Sequence, residues 1–102
     1  MKFSRVILCL LCVFLVTIPG LADTLRVVTY NSLNFRGEQD ADRIPYFRQT
    51  IDYLSPDVVA MQEIISENAV DYLLSFAFLP DQNDWAAAQF TDGPDTDNIL
   101  FY

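Results

Sequence analysis

The sequence predicts an α/β fold, and three observations carry the prediction. Residues 25–30 (LRVVTY) are short and rich in β-branched side chains, the pattern of a strand. Ile44, Phe47, Ile51 and Leu54 recur at spacings of three and four, which marks one face of a helix. Residues 58–61 (VVAM) form a continuous apolar run, as expected of a strand covered on both faces. Strand, helix and strand in this order predict a right-handed parallel crossover, with the helix packed on one face of the sheet.

The first 22 residues stand apart from that pattern. Lys2 and Arg5 precede a 13-residue run, 6–18, that only Thr17 interrupts. Pro19 and Gly20 end it, and Gly20 and Ala22 place small residues at −3 and −1 of a cut before Asp23. Residues 1–22 are therefore expected to be a signal peptide cleaved after Ala22, and the protein to be secreted or periplasmic. The alternative is a retained anchor, but a span needs about 20 apolar residues. No stable membrane span is expected after cleavage. Cys9 and Cys12 both lie in the leader, outside the thioredoxin-like context that would make their C-x-x-C spacing a redox pair. Leu11 stands where a lipoprotein cut at Cys12 needs a small residue. Residues 23–102 contain no cysteine, so disulfides cannot stabilise them.

Along those residues, 31–39 is polar, contains Gly37 and reads as a loop. The helix over about 42–54 can be capped by Asp40 or Asp42, and Pro45 is tolerable because it falls in the first turn. Ser55-Pro56-Asp57 stops it, since a residue before proline is pushed out of the right-handed helical region. Ser66 can cap a second helix in which Val70, Leu73, Leu74 and Ala77 share a face. Residues 79–84 read as a turn-rich loop and 85–90 as a weak strand, because three alanines have little β preference. Residues 91–97 (TDGPDTD) form an acidic turn, and 98–102 a further strand. Tyr46, Phe47, Tyr53, Tyr72, Phe76, Phe78 and Trp85 fall mostly at helix-face or strand positions and are expected in the core rather than as base-stacking platforms.

Charge narrows the function. Beyond the leader, four arginines against fourteen acids leave a formal −10, with no lysine and no histidine. That argues against holding nucleic acid by a basic surface, which needs clustered Lys and Arg. It also excludes any triad or metal site built with a histidine from these residues.

Two strand ends matter. In a parallel pair Asn31 and Glu63 emerge side by side at the carboxyl rim, where ligands gather in layered α/β folds. An amide oxygen beside a carboxylate suits Mg²⁺, Mn²⁺ or Ca²⁺, whereas zinc prefers the histidine and thiolate that are absent. The plainer alternative is that Asn31 caps a turn and Glu63 is a solvated strand-end acid. Spacing alone favours that alternative.

A family resemblance shifts the weight. Residues 25–34 (LRVVTYNSLN), followed after one amphipathic helix by 55–63 (SPDVVAMQE), resemble the opening of the endonuclease/exonuclease/phosphatase superfamily. Its first strand typically ends in T-x-N or S-x-N, matched by Thr29-Tyr30-Asn31. Its second motif, P-D-[VI]-[VI]-x-x-Q-E, is matched from Pro56 to Glu63. The resemblance implies a four-layer α/β/β/α sandwich, of which residues 23–102 would be the N-terminal part. Glu63 matches the metal-binding glutamate, Asn31 the asparagine that helps place metal and phosphate, and Gln62 a supporting position. Asn31 and Glu63 are thus the candidate catalytic and metal-binding residues, with Mg²⁺ or Mn²⁺ as the cofactor. Residues 95–102 are similar to the family's third strand, with Asp97 and Asn98 as turn and strand-start residues rather than ligands.

The implied activity is metal-dependent hydrolysis of a phosphodiester, with DNA, RNA, lipid and small phosphoesters all open as substrates. A bound +2 ion would admit a phosphate to an acidic surface. Arg36 could touch a phosphate, although a lone loop arginine is usually just solvated. No protein partner is readable. The family's later G-D-F-N, His-Asp and S-D-H elements are absent, and with no histidine this chain alone is not expected to hydrolyse. The apolar run 99–102 at the terminus likewise leads us to expect a truncated domain. The alternative function is a non-catalytic secreted remnant that binds a metal or a partner.

Overall fold

A computed structural model of the protein describes residues 23–80 and 84–102. The expected signal peptide, with Cys9 and Cys12, lies outside the described residues. The fold is mixed α/β: a three-stranded sheet in the order β1-β2-β3, with two helices. Strand β1 is Val27–Phe35, helix α1 is Ile44–Leu54, strand β2 is Val58–Ile64, helix α2 is Glu67–Leu73 and strand β3 is Asp97–Phe101. β1 and β2 are parallel, as the crossover requires, and run in register from Val27↔Val58 to Asn31↔Gln62. β3 returns antiparallel on the other side of β2, with Ala60 opposite Leu100.

The first strand is longer than expected. Residues 31–35 continue β1 rather than forming a loop, and 3₁₀ turns over Gly37–Arg43 follow at once. Gly37 is required there. It sits at φ +80°, and a Cβ on it would lie 3.3 Å from the Ala69 Cα of α2. Helix α1 then starts at Ile44 with Pro45 in its first turn, but neither Asp40 nor Asp42 caps it. Arg43 is the N-cap and makes no side-chain capping bond, since a guanidinium has no acceptor, while Asp40 is engaged by Arg36. At the far end Ser55 turns left-handed (φ +45°), its N–H closes on the Ile51 carbonyl, and Pro56 redirects the chain into β2. The start of β1 is tied to that corner: the Arg26 N–H meets Asp57 Oδ2 at 2.7 Å, and its guanidinium donates to the Leu54 carbonyl.

Ser66 caps α2 as expected, its hydroxyl accepting from the Ala69 N–H. The helix does not stop at Leu73 but widens into a π-turn over Leu74–Phe78, which carries Ala77 and Phe78 inward. Val59, Met61, Ile64, Ile99 and Phe101 of the sheet meet Phe47 of α1 and Val70 and Leu73 of α2 in one core. Phe78 stacks on Phe101 at 4.2 Å between centroids, and Phe35 meets Phe47 edge-on at 5.3 Å. Each such phenyl ring contributes about 1.5–3 kcal/mol by leaving water.

The helices cover one face of the sheet only. β2 does not bury both faces: Val59 and Met61 are buried while Val58 and Ala60 are half-buried. Val27 and Leu100 are 54% and 45% exposed on that second side. The expected strand at 85–90 reduces to a bridge between Ala87 and Phe101, with three backbone hydrogen bonds, two between Ala86 and Tyr102 and one from Ala88 to Leu100. Of the aromatic residues expected in the core, Phe47 and Phe78 are buried and Tyr72 and Trp85 packed against them. Tyr46, Tyr53 and Phe76 are exposed, because they stand on helix faces turned away from the sheet.

Candidate functional site

The carboxyl rim of β1 and β2 is built around a break in the sheet. Between the paired positions Asn31↔Gln62 and Phe35↔Ile64, three residues of β1 (Ser32, Leu33, Asn34) face one of β2, Glu63. On its other side, β2 slips again: Gln62 and Glu63 lie opposite Asn98 alone, between Met61↔Ile99 and Ile64↔Asp97. Glu63 therefore sits in a bulge toward both neighbours. It adopts φ +60°, as Leu33 and Asn34 adopt +48° and +55°.

The bulge decides where the carboxylate goes. Side chains alternate along a strand, so Glu63 in a regular β2 would follow Val59 and Met61 into the core. The extra residue shifts the phase: burial runs Val59, Met61, then Ile64, at intervals of two and three. Glu63 is released toward the rim, a role bulges commonly serve beside functional sites. Left-handed backbone at a residue with a Cβ costs roughly 1–2 kcal/mol. Such strain persists only where its surroundings enforce it.

At the rim the two candidate residues meet. Asn31 Nδ2 donates to Glu63 Oε1 at 2.9 Å, and Asn31 Oδ1 accepts the Leu33 N–H at 2.8 Å. Those partners fix the amide's orientation, since a flip would set N–H against N–H and oxygen against carboxylate. Asn31 thus caps a turn and holds the acid with the same side chain. Glu63 Oε2 has no hydrogen-bond partner among the described residues. Gln62 turns back on its own strand, Nε2 donating to the Ala60 carbonyl at 3.0 Å.

Ser32, which sequence reasoning passed over, underlies the pair. It is fully buried, and its hydroxyl lies 2.7 Å from the carbonyl of Gln62, the last regularly paired residue, and 2.9 Å from that of Glu63, which the bulge leaves unpaired. The sequence carries no clear signal for it, because VVAM is continuously apolar and the change of interval from two to three shows only in which residues are buried. Arg36 is exposed, as expected, and is also clamped to Asp40. The Asp40 carboxylate accepts the Arg36 backbone N–H at 2.8 Å, Nε at 3.1 Å and Nη2 at 2.6 Å. The Arg36 hydrogen bond, with smaller help from its charge and that of Arg43, lowers the Asp40 carboxyl from 3.8 to about 2 despite burial. Asp97, as expected, holds the acidic turn, accepting the Gly93 N–H at 2.7 Å.

Chemically, the rim offers one carboxylate with a free oxygen, oriented by a neutral amide. No group of three or more His, Cys, Asp or Glu residues occurs among the described residues. Magnesium and manganese fit, because one or two carboxylates suffice when water and substrate phosphate complete the shell. No helix of the described residues is long and apolar enough to cross a membrane. Comparisons with protein-family models, curated proteins and solved structures find no match for this chain.

Proposed function

We propose that this chain carries the metal-binding rim of a divalent-metal-dependent phosphodiester hydrolase of the endonuclease/exonuclease/phosphatase type. The observation that carries this is the 2.9 Å bond between Asn31 and Glu63, formed where a bulge turns the acid out of the core. Asn31 and Glu63 are also the two residues at which the motifs 29–31 and 56–63 align with that superfamily. The sheet would then be half of a four-layer α/β/β/α sandwich, a reading favoured by its one uncovered face.

Glu63 would hold Mg²⁺ or Mn²⁺ through Oε2, while Asn31 keeps Oε1 in place and presents an amide to a phosphoryl oxygen. The chemistry such an ion supplies when bound is polarisation of the phosphoryl oxygen and neutralisation of charge developing on the leaving oxygen. Residues 23–102 carry four arginines against fourteen acids, so a phosphoester would be held by the metal site rather than by long-range attraction. The leader expected at residues 1–22 would export the protein.

The second reading is metal binding without turnover, and it has its own observation: no histidine occurs in the 102 residues to serve as general base. A fluorogenic phosphodiester assay on the purified chain with Mg²⁺ or Mn²⁺ separates the two. Hydrolysis abolished by Glu63→Ala supports the hydrolase. Saturable metal binding without hydrolysis supports the second reading for these 102 residues, and failure to bind metal rejects both.

A further inference from the structure

The bulge that aims Glu63 creates a problem for the backbone that only side chains can solve. With β1 out of register from Ser32 to Asn34, the carbonyls of Ser32 and Leu33 lose their place in the ladder. One side chain serves both. Arg43, at the start of α1, donates Nη2 to the Ser32 carbonyl and Nη1 to the Leu33 carbonyl at 3.3 Å. Its guanidinium lies over two core rings, 5.7 Å from the Phe35 centroid and 5.3 Å from that of Phe47. Asp40 Oδ2 stands 4.0 Å from Nη1 and balances its charge. The Arg43 side chain is 28% exposed and that of Asp40 11%, so this is a largely sheltered clamp rather than a surface ion pair.

We propose that Arg43 is the positioning residue of the rim: it holds the left-handed Leu33–Asn34 turn and, through it, the Asn31 amide against Glu63. The connection is short. Arg43 fixes the Leu33 carbonyl, the Leu33 N–H fixes Asn31 Oδ1, and Asn31 Nδ2 fixes Glu63 Oε1. Ser32 completes the frame from beneath, its hydroxyl on the β2 carbonyls and its own carbonyl on Arg43. Lysine cannot substitute. An ammonium has no planar face for two rings and no fork to reach two carbonyls and a carboxylate together.

The test uses the full ¹⁵N-labelled chain and its Arg43→Lys variant, with Arg26→Lys as control. Arg26 also donates to a backbone carbonyl, but at the opposite end of β1. The direct readout is the Asn31 side-chain NH₂ resonance, which needs no metal. In the parent its two protons are expected to be split and shifted by the bond to Glu63. In Arg43→Lys they should collapse toward free-amide positions while the circular dichroism spectrum is retained, and Arg26→Lys should leave them unmoved. The second readout rests on the proposed metal site: Mn²⁺ affinity should fall about 10–100-fold, as for other losses of a group supporting a metal ligand. Failure of the parent to bind Mn²⁺ would reject the metal reading alone, since the Asn31 resonance still decides the role of Arg43. Should Arg43→Lys fail to fold, the parent's guanidinium decides: separate, slowly exchanging Nη–H signals support the clamp, and one averaged signal overturns it. An unmoved Asn31 resonance in a folded Arg43→Lys chain also overturns it.

Discussion

Replacing Glu63 by glycine and, separately, by alanine isolates the backbone strain at the rim from everything else. Both substitutions delete the carboxylate and its bond to Asn31, so those losses cancel between them. What remains is φ +60°. Alanine keeps the left-handed cost of roughly 1–2 kcal/mol, while glycine sheds it. Against that, glycine gives up about 0.5–1 kcal/mol in the unfolded-chain entropy it must lose on folding. The difference leaves Glu63→Gly more stable than Glu63→Ala by about 0.75 kcal/mol at the middle of those ranges and about 1.5 kcal/mol at most, the former about 3–6 °C in Tm for a chain of this size. At Ala60, in the regular part of β2, the order should reverse, with Ala60→Gly losing about 0.5–1 kcal/mol. Urea unfolding followed by circular dichroism, with thermal melts in parallel, measures both. Glu63→Ala matching or exceeding Glu63→Gly would refute the claim that the acid is held in a strained bulge.

Removing the buried Ser32 hydroxyl takes away the donor beside the Glu63 carbonyl, which the bulge leaves unpaired, so Ser32→Ala should cost about 1–3 kcal/mol by urea unfolding although it deletes a single oxygen. Ser66→Ala removes the cap of α2 and should cost about 0.5–2 kcal/mol in the same assay, with no effect at the rim. Asp40 titrates lower in the folded chain, at about 2, than in the unfolded one. Its contribution is therefore complete above pH 4 and lost as pH falls toward 2. The Tm gap between the parent and Asp40→Asn should be widest near neutrality and close over that interval.

The parallel crossover was legible because its determinants are local and periodic: β-branched residues in β1, apolar spacings of three and four in α1, and a proline to end it. So was the meeting of Asn31 and Glu63, since parallel strands bring equivalent ends to one rim. The means by which they meet was not. Taken as a regular strand, VVAMQE sends Glu63 into the core, and only the burial of Ile64 betrays the extra residue. Residues 31–35 looked like a loop because their polar side chains serve the bulge rather than a sheet face. The missing Asp40 cap and the Arg43 clamp have a common cause. Both follow from side-chain bonds back to residues 32–36, which outcompete capping and leave no periodic trace. The π-turn at Leu74–Phe78 is similarly a tertiary choice, made to seat Phe78 on Phe101.

The central claim is that Glu63, aimed by the bulge and held by Asn31, is a divalent-metal ligand. Titration of the purified chain with Mn²⁺, read by electron paramagnetic resonance, tests it most directly beside Glu63→Gln, which keeps the size of the side chain and removes its charge. The account predicts one saturable Mn²⁺ equivalent in the parent, displaced by Mg²⁺ and lost in Glu63→Gln. Equal binding by the two proteins, or none by the parent, would contradict it.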